Sequence, residues 1–198
     1  KADIIVLPAQ NTLYPEQQRK WISEALCYAE NKGVLVIVPA QENSVDLEEY
    51  TFYPNRWMTG EKELTNLLVV SSSDKNGNPS MSSNYGDKEV DLYAPGIDIY
   101  TTYTGDTYQI GKGVGLAAAT TAGVAALIKS YYPHLNGGQI RELLLKNVTS
   151  RADVEVEKGI RLQNGQQSQD LFLFGDLCLS GGILNAYQAV VAAGKLKN

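Results

Sequence analysis

The sequence predicts an α/β fold, with a mainly parallel sheet flanked by helices, and three observations predict it. Val34–Val38 and Leu67–Val70 are apolar without alternation, the pattern of strands covered on both faces. A helical segment opened by Pro15 and closed by Gly33 lies between the first of these runs and an earlier apolar run, Ala2–Leu7. Strand, helix, strand in that order implies a right-handed parallel crossover.

The other elements follow in chain order. In the first helix Trp21, Ile22, Ala25, Leu26 and Ala29 recur at three-to-four spacing, which predicts one buried face. Val90–Ala94 is a shorter strand. Ile97–Tyr103 and Thr107–Ile110 flank Thr104-Gly105-Asp106 and predict a hairpin. Leu116–Tyr131 reads as a helix rich in Ala, Thr and Gly, small enough to approach a sheet closely, and Pro133 ends it. Asn136, with Gln139 three residues on, predicts a capping box for a helix over Gln139–Val148. Val154–Val156, Ile160–Leu162 and Leu171–Phe174 read as short strands around a polar loop at Asn164–Gln169, and Asn185–Ala193 as a final amphipathic helix. The expectation is one domain over 1–198, with an α/β core at 1–150 and a hairpin region and helix at 151–198.

Composition narrows the classes of function. Hydrophobic residues make up 43% and charged residues 20%, a globular rather than disordered balance. The net charge of −5 and the lack of a Lys/Arg run argue against nucleic acid as a partner. The longest apolar stretch, Leu116–Ile128, carries two threonines and is too short to span a bilayer, so no membrane span is expected. The chain starts at Lys1 without a leader-like segment and reads as a piece of something longer. Cys27 and Cys178 lack metal-ligand spacing and read as a helix thiol and a strand thiol, with a disulfide open to them in an oxidising compartment. Asn147-Val148-Thr149 is a glycosylation sequon only in a glycosylating host.

Four blocks carry chemical information. Residues 113–123 read Gly-Val-Gly-Leu-Ala-Ala-Ala-Thr-Thr-Ala-Gly; residues 82–97 read Ser-Ser-Asn-Tyr-Gly-Asp-Lys-Glu-Val-Asp-Leu-Tyr-Ala-Pro-Gly-Ile. Residues 33–42 read Gly-Val-Leu-Val-Ile-Val-Pro-Ala-Gln-Glu, and residues 181–187 Gly-Gly-Ile-Leu-Asn-Ala-Tyr. In order and spacing they resemble the subtilisin-like serine peptidases, whose matching stretches run Gly-Thr-Ser-Met-Ala-x-Pro-x-x-Ala-Gly, Ser-Asn-Tyr-Gly…Val-Asp-Val-x-Ala-Pro-Gly, Gly-Val-x-Val-Val-x-Ala-Ala-Gly-Asn and Gly-Gly-x-x-Asn-Ala. The resemblance implies a three-layer subtilisin-like fold whose N-terminal part is missing here, and an extracytoplasmic or secreted location.

The resemblance also implies where this chain departs from peptidase chemistry. Gly115 stands at the nucleophile position, and glycine has no oxygen with which to form an acyl-enzyme. Val114 and Ala119 replace the neighbouring threonine and proline. Glu42 stands at the oxyanion-donor position, where a carboxylate repels developing negative charge; a one-residue slip would bring Asn43 there instead. His134, the sole histidine, falls in a surface loop beyond the nucleophile helix. The family's aspartate and histidine lie upstream of the segment matched by Ala2–Leu7. Pro8, Ala9 and Gln10 stand where the family pairs with substrate backbone, and Pro8 has no N–H to donate.

The implied reading is a catalytically inactive pseudo-peptidase that binds a peptide or protein or serves a structural role. The candidate binding residues are Pro8, Ala9, Gln10, Pro39, Ala40, Gln41 and Asn43. The alternative is a serine endopeptidase whose remaining catalytic residues lie outside this chain. No catalytic residue, metal or cofactor is expected. Glu42, Asp46, Glu48 and Glu49 read as a solvated acidic face, with calcium as the other possibility. Ser71–Ser73 and Ser80–Ser83 read as turn and loop residues. Tyr50, Phe52, Tyr53 and Trp57, and Tyr85, Tyr93, Tyr100, Tyr103 and Tyr108 around the hairpin, suit either contacts or half-buried packing. The strand at 2–7 would lack its outer neighbour, so it is expected to be covered by a second copy of the chain, by the missing N-terminal half, or by a hairpin from residues 151–175.

Overall fold

In the computed structural model, which describes residues 2–8, 15–57 and 63–196, the apolar runs become neighbouring strands. The strands are β1 (Ile4–Val6), β2 (Leu35–Pro39), β3 (Leu67–Ser73), β4 (Leu92–Pro95), β5 (Ile99–Tyr103), β6 (Thr107–Gly111), β7 (Thr149–Ser150), β8 (Glu155–Arg161), β9 (Gln167–Leu173) and β10 (Gly182–Ile183). The helices are α1 (Glu16–Asn31), α2 (Val114–Tyr131), α3 (Gly137–Lys146) and α4 (Ala186–Ala193). One sheet runs β1-β2-β3-β4-β10-β7, parallel except for β7 at the far edge. The pairs β5–β6 and β8–β9 are separate antiparallel hairpins.

Every residue of β2 and β3 is buried, as unalternating strands in the middle of a parallel sheet require. The pleat then sorts side chains to two faces. Val36, Val38, Leu67 and Val69 pack with Leu26 and Ala29 of α1. Leu35, Ile37, Leu68 and Val70 pack with Ala117, Ala118, Ala125 and Ile128 of α2 and with Ile140 and Leu144 of α3. The result is three layers. The alanines of α2 let it lie against the sheet. At 18 residues α2 is longer than the Leu116–Ile128 run and reaches the length of a membrane-crossing helix. Here it lies over β1 to β4 and beside α3 and α4.

The structure refines several expectations. The buried stripe of α1 narrows to Ile22, Leu26 and Ala29, while Trp21 is 59% exposed and Ala25 also faces solvent. The capping box forms, with Asn136 Oδ1 accepting from Gln139 N and Gln139 Oε1 from Asn136 N, both at 2.9 Å. Its helix starts two residues before Gln139, at Gly137, and ends at Lys146. Val154–Val156 and Ile160–Leu162 are not separate strands. They merge into β8, because Lys158 and Gly159 between them stay in register opposite Asp170 and Gln169. The β8–β9 hairpin does not cross β1; it lies against Ser44 and Met81, with Arg161 N donating to Ser44 O at 2.7 Å. Among the described residues β1 pairs only with β2, and Ile5 and Val6 are 39% and 38% exposed. Cys178 is buried and Cys27 half-buried, both as free thiols. Burial pushes the Cys178 thiol up to about 11.

One charged group sits at the middle of this packing. Asp91, fully buried just before β4, accepts from Arg141 of α3 at 2.6 Å, from Arg56 of the loop ahead of β3, and from Val69 N of β3 at 2.7 Å. Glu63 completes the charge balance at 3.1 Å from Arg56 Nε. Removing one member of a buried ion pair leaves its partners desolvated and uncompensated. Asp91→Asn is therefore expected to cost about 3–5 kcal/mol of stability. Urea unfolding measures this, and a loss below about 1 kcal/mol would contradict the assigned role.

Candidate functional site

In an open parallel sheet, ligands sit beyond the carboxyl ends of the strands. That end gathers Leu7-Pro8 after β1, Ala40-Gln41-Glu42 after β2, Ser72 and Ser73 of β3, and Pro95-Gly96 of β4. The N-terminus of α2 points to the same end. Gly113 N donates to Gly96 O at 2.7 Å. A Cβ on Gly96 would stand 2.8 Å from both Gly113 O and the Ser72 side chain, so only glycine lets β4 meet α2 this closely. Gly113 caps α2 at φ 139°, a backbone open to glycine, with no side chain satisfying the first N–H groups.

Exposed Glu42 lies beside Gly113. Its carboxylate oxygens lie 3.5 and 3.8 Å from where a Gly113 Cβ would be. Ser82 Oγ donates to Glu42 Oε1 at 3.3 Å, and Ser80 Oγ lies 3.3 Å from Ser82 Oγ. A carboxylate at a helix N-terminus is stabilising through the helix dipole. Helix N-termini of this kind are where anions bind, and here a carboxylate of the chain itself lies nearby. Gly115, in the first turn of α2, is exposed, and a Cβ there would meet nothing within 4 Å.

The chain around Glu42 is held by backbone contacts. Gln41 adopts φ 67° and its carbonyl accepts from Asn84 N at 2.9 Å. Asn84 Oδ1 accepts from Asn43 N and Val45 N, at 2.9 and 3.2 Å. Thus Glu42, rather than Asn43, lies beside Gly113. Pro39 and Ala40 are buried, and Ala40 N donates to Val70 O at 2.9 Å. Pro8 is exposed at the end of β1; Ala9 and Gln10 lie outside the described residues. His134 is exposed in the turn between α2 and α3, against the Tyr132 ring. It sits beyond the far end of α2 from Gly115, with ~24 Å of helix between them.

Other candidate groups have structural roles. Ser71 Oγ donates to Asn84 O at 2.9 Å, while the Ser72 and Ser73 hydroxyls are buried at the end of β3 without a partner among the described residues. Among the described residues no His, Cys, Asp and Glu side chains group as a metal site. Instead Asp46 Oδ1 accepts from Glu48 N, Glu48 accepts from Lys88 N, and burial raises the Asp46 carboxyl. The first aromatic group is partly packing: Tyr53 holds Arg19 of α1 by its hydroxyl at 3.0 Å and its ring face. Phe52 and Trp57 line a cavity of about 200 Å³ with Glu48, Asn55 and Glu89, whose carboxyl is raised by burial. Tyr85 and Tyr93 are core residues against Phe172 and Phe174. Tyr100 and Tyr108 stack on the exposed face of the β5–β6 hairpin.

The subtilase family model matches residues 9–175. The chain belongs to the subtilase family. It is 33% identical over 121 residues to the thermostable alkaline protease of Halalkalibacterium halodurans, covering 61% of this chain and 30% of that protein. It is 32% identical over 129 residues to subtilisin BL of Lederbergia lenta, covering 65% of this chain and 44% of that one. The matches thus span less than half of either relative. Two solved structures share the fold. The prenylagaramide maturation protease PagA gives a TM-score of 0.70 at 22% identity, over 96% of this chain and 62% of its own. The subtilase cytotoxin SubAB structure gives 0.72 at 17%, over 98% and 59%. This subtilase segment has the subtilisin-like α/β fold.

The sequence singled out Glu42 and Gly115; it did not show that Gly96, Gly113 and Ser82 lie around the same end of α2. Their signal lay in the blocks already quoted, and only the three-dimensional approach of β4 to α2 joins them. Gly115→Ser is expected to fold with stability changed by no more than about 1 kcal/mol, since the added Cβ has open space. Glu42→Gln is expected to lose about 0.3–1 kcal/mol of helix-terminus stabilisation. Thermal unfolding reads both, and a large loss in Gly115→Ser would contradict the open geometry.

Proposed function

We propose that this subtilase segment is a pseudo-peptidase that binds an extended polypeptide along its cleft without cleaving it. One observation carries the reading: Gly115 lies in the first turn of α2 and the Glu42 carboxylate lies beside its Gly113 cap, at positions the family resemblance gives to a nucleophile and an oxyanion donor. Without a side-chain oxygen there is no acyl-enzyme, and with a fixed negative charge there is no welcome for a second one. The strand ends at Pro8 and at Pro39–Asn43 frame the cleft that an extended polypeptide would follow. Family resemblance further supports an extracytoplasmic setting.

The open edge of β1 belongs to the same proposal. Its backbone, paired only with β2 among the described residues, lies beside exposed Ile5 and Val6 and suits an added polypeptide strand. A second copy of the chain and polypeptide matching the N-terminal part of the fold are the two candidate occupants.

Two measurements test this reading. A fluorophosphonate probe is expected to leave the protein unlabelled, and an unstructured protein substrate is expected to stay intact, with Gly115→Ser gaining nothing. Serine-directed labelling with hydrolysis would favour the endopeptidase alternative and overturn the proposal. Light scattering with hydrogen exchange reads the edge. Protection at residues 4–7 in a dimer or in the longer parent chain is expected. A monomer and a parent chain that both exchange freely there would refute the covered edge.

A further inference from the structure

The β8–β9 hairpin carries a feature that the cleft does not use. Lys158 lies in the middle of β8 with its side chain turned inward, and the residue is 0% exposed. Its Nζ donates to Met81 O and to Gly159 O, both at 3.1 Å, and lies over the Tyr85 ring at 5.2 Å from the centroid. Carbonyls and a ring face are weak compensation for a buried ammonium, which ordinarily requires a carboxylate.

The charged and titratable groups around it can be named by element. On β8, Glu155 and Glu157 fall on the opposite, exposed face, and Arg161 ends the strand. On β9, exposed Asp170 stands opposite Lys158 in register. From the 80–86 segment comes Tyr85, whose own surroundings include Asp46, Glu49 and Asp170. Among the described residues none of these carboxylates forms an ion pair with Lys158. Burial alone pushes the lysine from 10.5 down to about 7.

The same lysine fastens the hairpin to the body of the domain. Beside it, a Cβ on Gly159 would stand 2.2 Å from Met81 O, so the two backbones touch there. Arg161 N donates to Ser44 O. Val156, Ile160 and Phe172 complete the contact from the apolar side. Around this joint lies a cavity of about 550 Å³ lined by Ser44, Met81, Ser82, Gly159 and residues 167–169. Ser82 is the residue whose hydroxyl donates to Glu42, so the cavity adjoins the cleft.

We propose that the β8–β9 hairpin is a pH-gated flap, latched over Ser44, Met81 and Ser82 by the neutral amine of Lys158 and released when that amine is protonated. The direction follows from proton linkage. The open hairpin returns Lys158 to water, where it binds a proton more tightly than in the closed form. Between about pH 7 and about pH 10, proton uptake therefore favours opening, and closure strengthens as pH rises. Below that window both forms are protonated and the full burial penalty remains. Opening uncovers the Tyr85–Phe172 contact and the wall that carries Ser82.

Hydrogen exchange of the whole chain, corrected for intrinsic rates at each pH, tests the latch. Protection of amides 155–173 is expected to rise at least about tenfold between pH 7 and pH 9, while β2 and β3 amides stay unchanged. Lys158→Met is expected to stay protected across the range without the pH dependence. Lys158→Arg, which keeps the charge, is expected to be weakly protected throughout. His134→Gln, which removes the one imidazole, and Asp170→Asn are expected to retain the wild-type profile. Equal protection at both pH values in the wild type, or an unchanged rise in Lys158→Met, would overturn the proposal.

Discussion

Asp91 is the group on which the architecture turns. A carboxylate with no exposed surface holds two guanidinium groups and one strand amide. Each of those partners belongs to a different part of the chain: the loop before β3, β3 itself, and α3. A buried charge tolerates little displacement, because every lost contact leaves a desolvated ion. The cluster therefore fixes where β4 begins relative to β3 and α3. Four residues after Asp91, β4 ends at Pro95, and Gly96 there receives the N-terminus of α2. The cleft is positioned from within the core.

That cleft gathers the strand ends and the N-terminus of α2 around a carboxylate. The cap of α2 is a bare glycine, its first turn carries a second glycine, and the nearby side chain is a carboxylate. These features support one another. Glu42 lies beside the helix terminus, and the lack of a side chain at Gly113 gives the carboxylate room. The hydroxyls of Ser80 and Ser82 extend the arrangement toward the hairpin, so cleft and flap share a wall.

Much of this was legible in the residues. Unbroken apolar runs announced β2 and β3, and Asn136 with Gln139 announced a capping box that forms with both of its bonds. Family blocks pointed to Glu42 and to Gly115, which the fold sets respectively beside the α2 cap and in the first turn of α2. What escaped was whatever depends on a tertiary neighbour. Trp21 matches the spacing of a buried face yet lies at its margin, because the stripe through Ile22, Leu26 and Ala29 suffices to cover β2. Lys158-Gly159 reads as a break between two short strands. Alternation of Val156, Lys158 and Ile160 was the available signal that the lysine shares their inward face, and charge masked it. Asp91 gave no local sign that it gathers two arginines distant in sequence.

The central claim is that polypeptide is held at the α2 terminus and left uncut. It is tested most directly by titrating the isotopically labelled protein with an extended peptide, following backbone amide shifts while mass spectrometry tracks the peptide. The account predicts shifts concentrated at residues 39–43 and 113–116, with the peptide intact at the end. Shifts confined to the opposite face of the sheet, or peptide fragments accumulating with time, would contradict it.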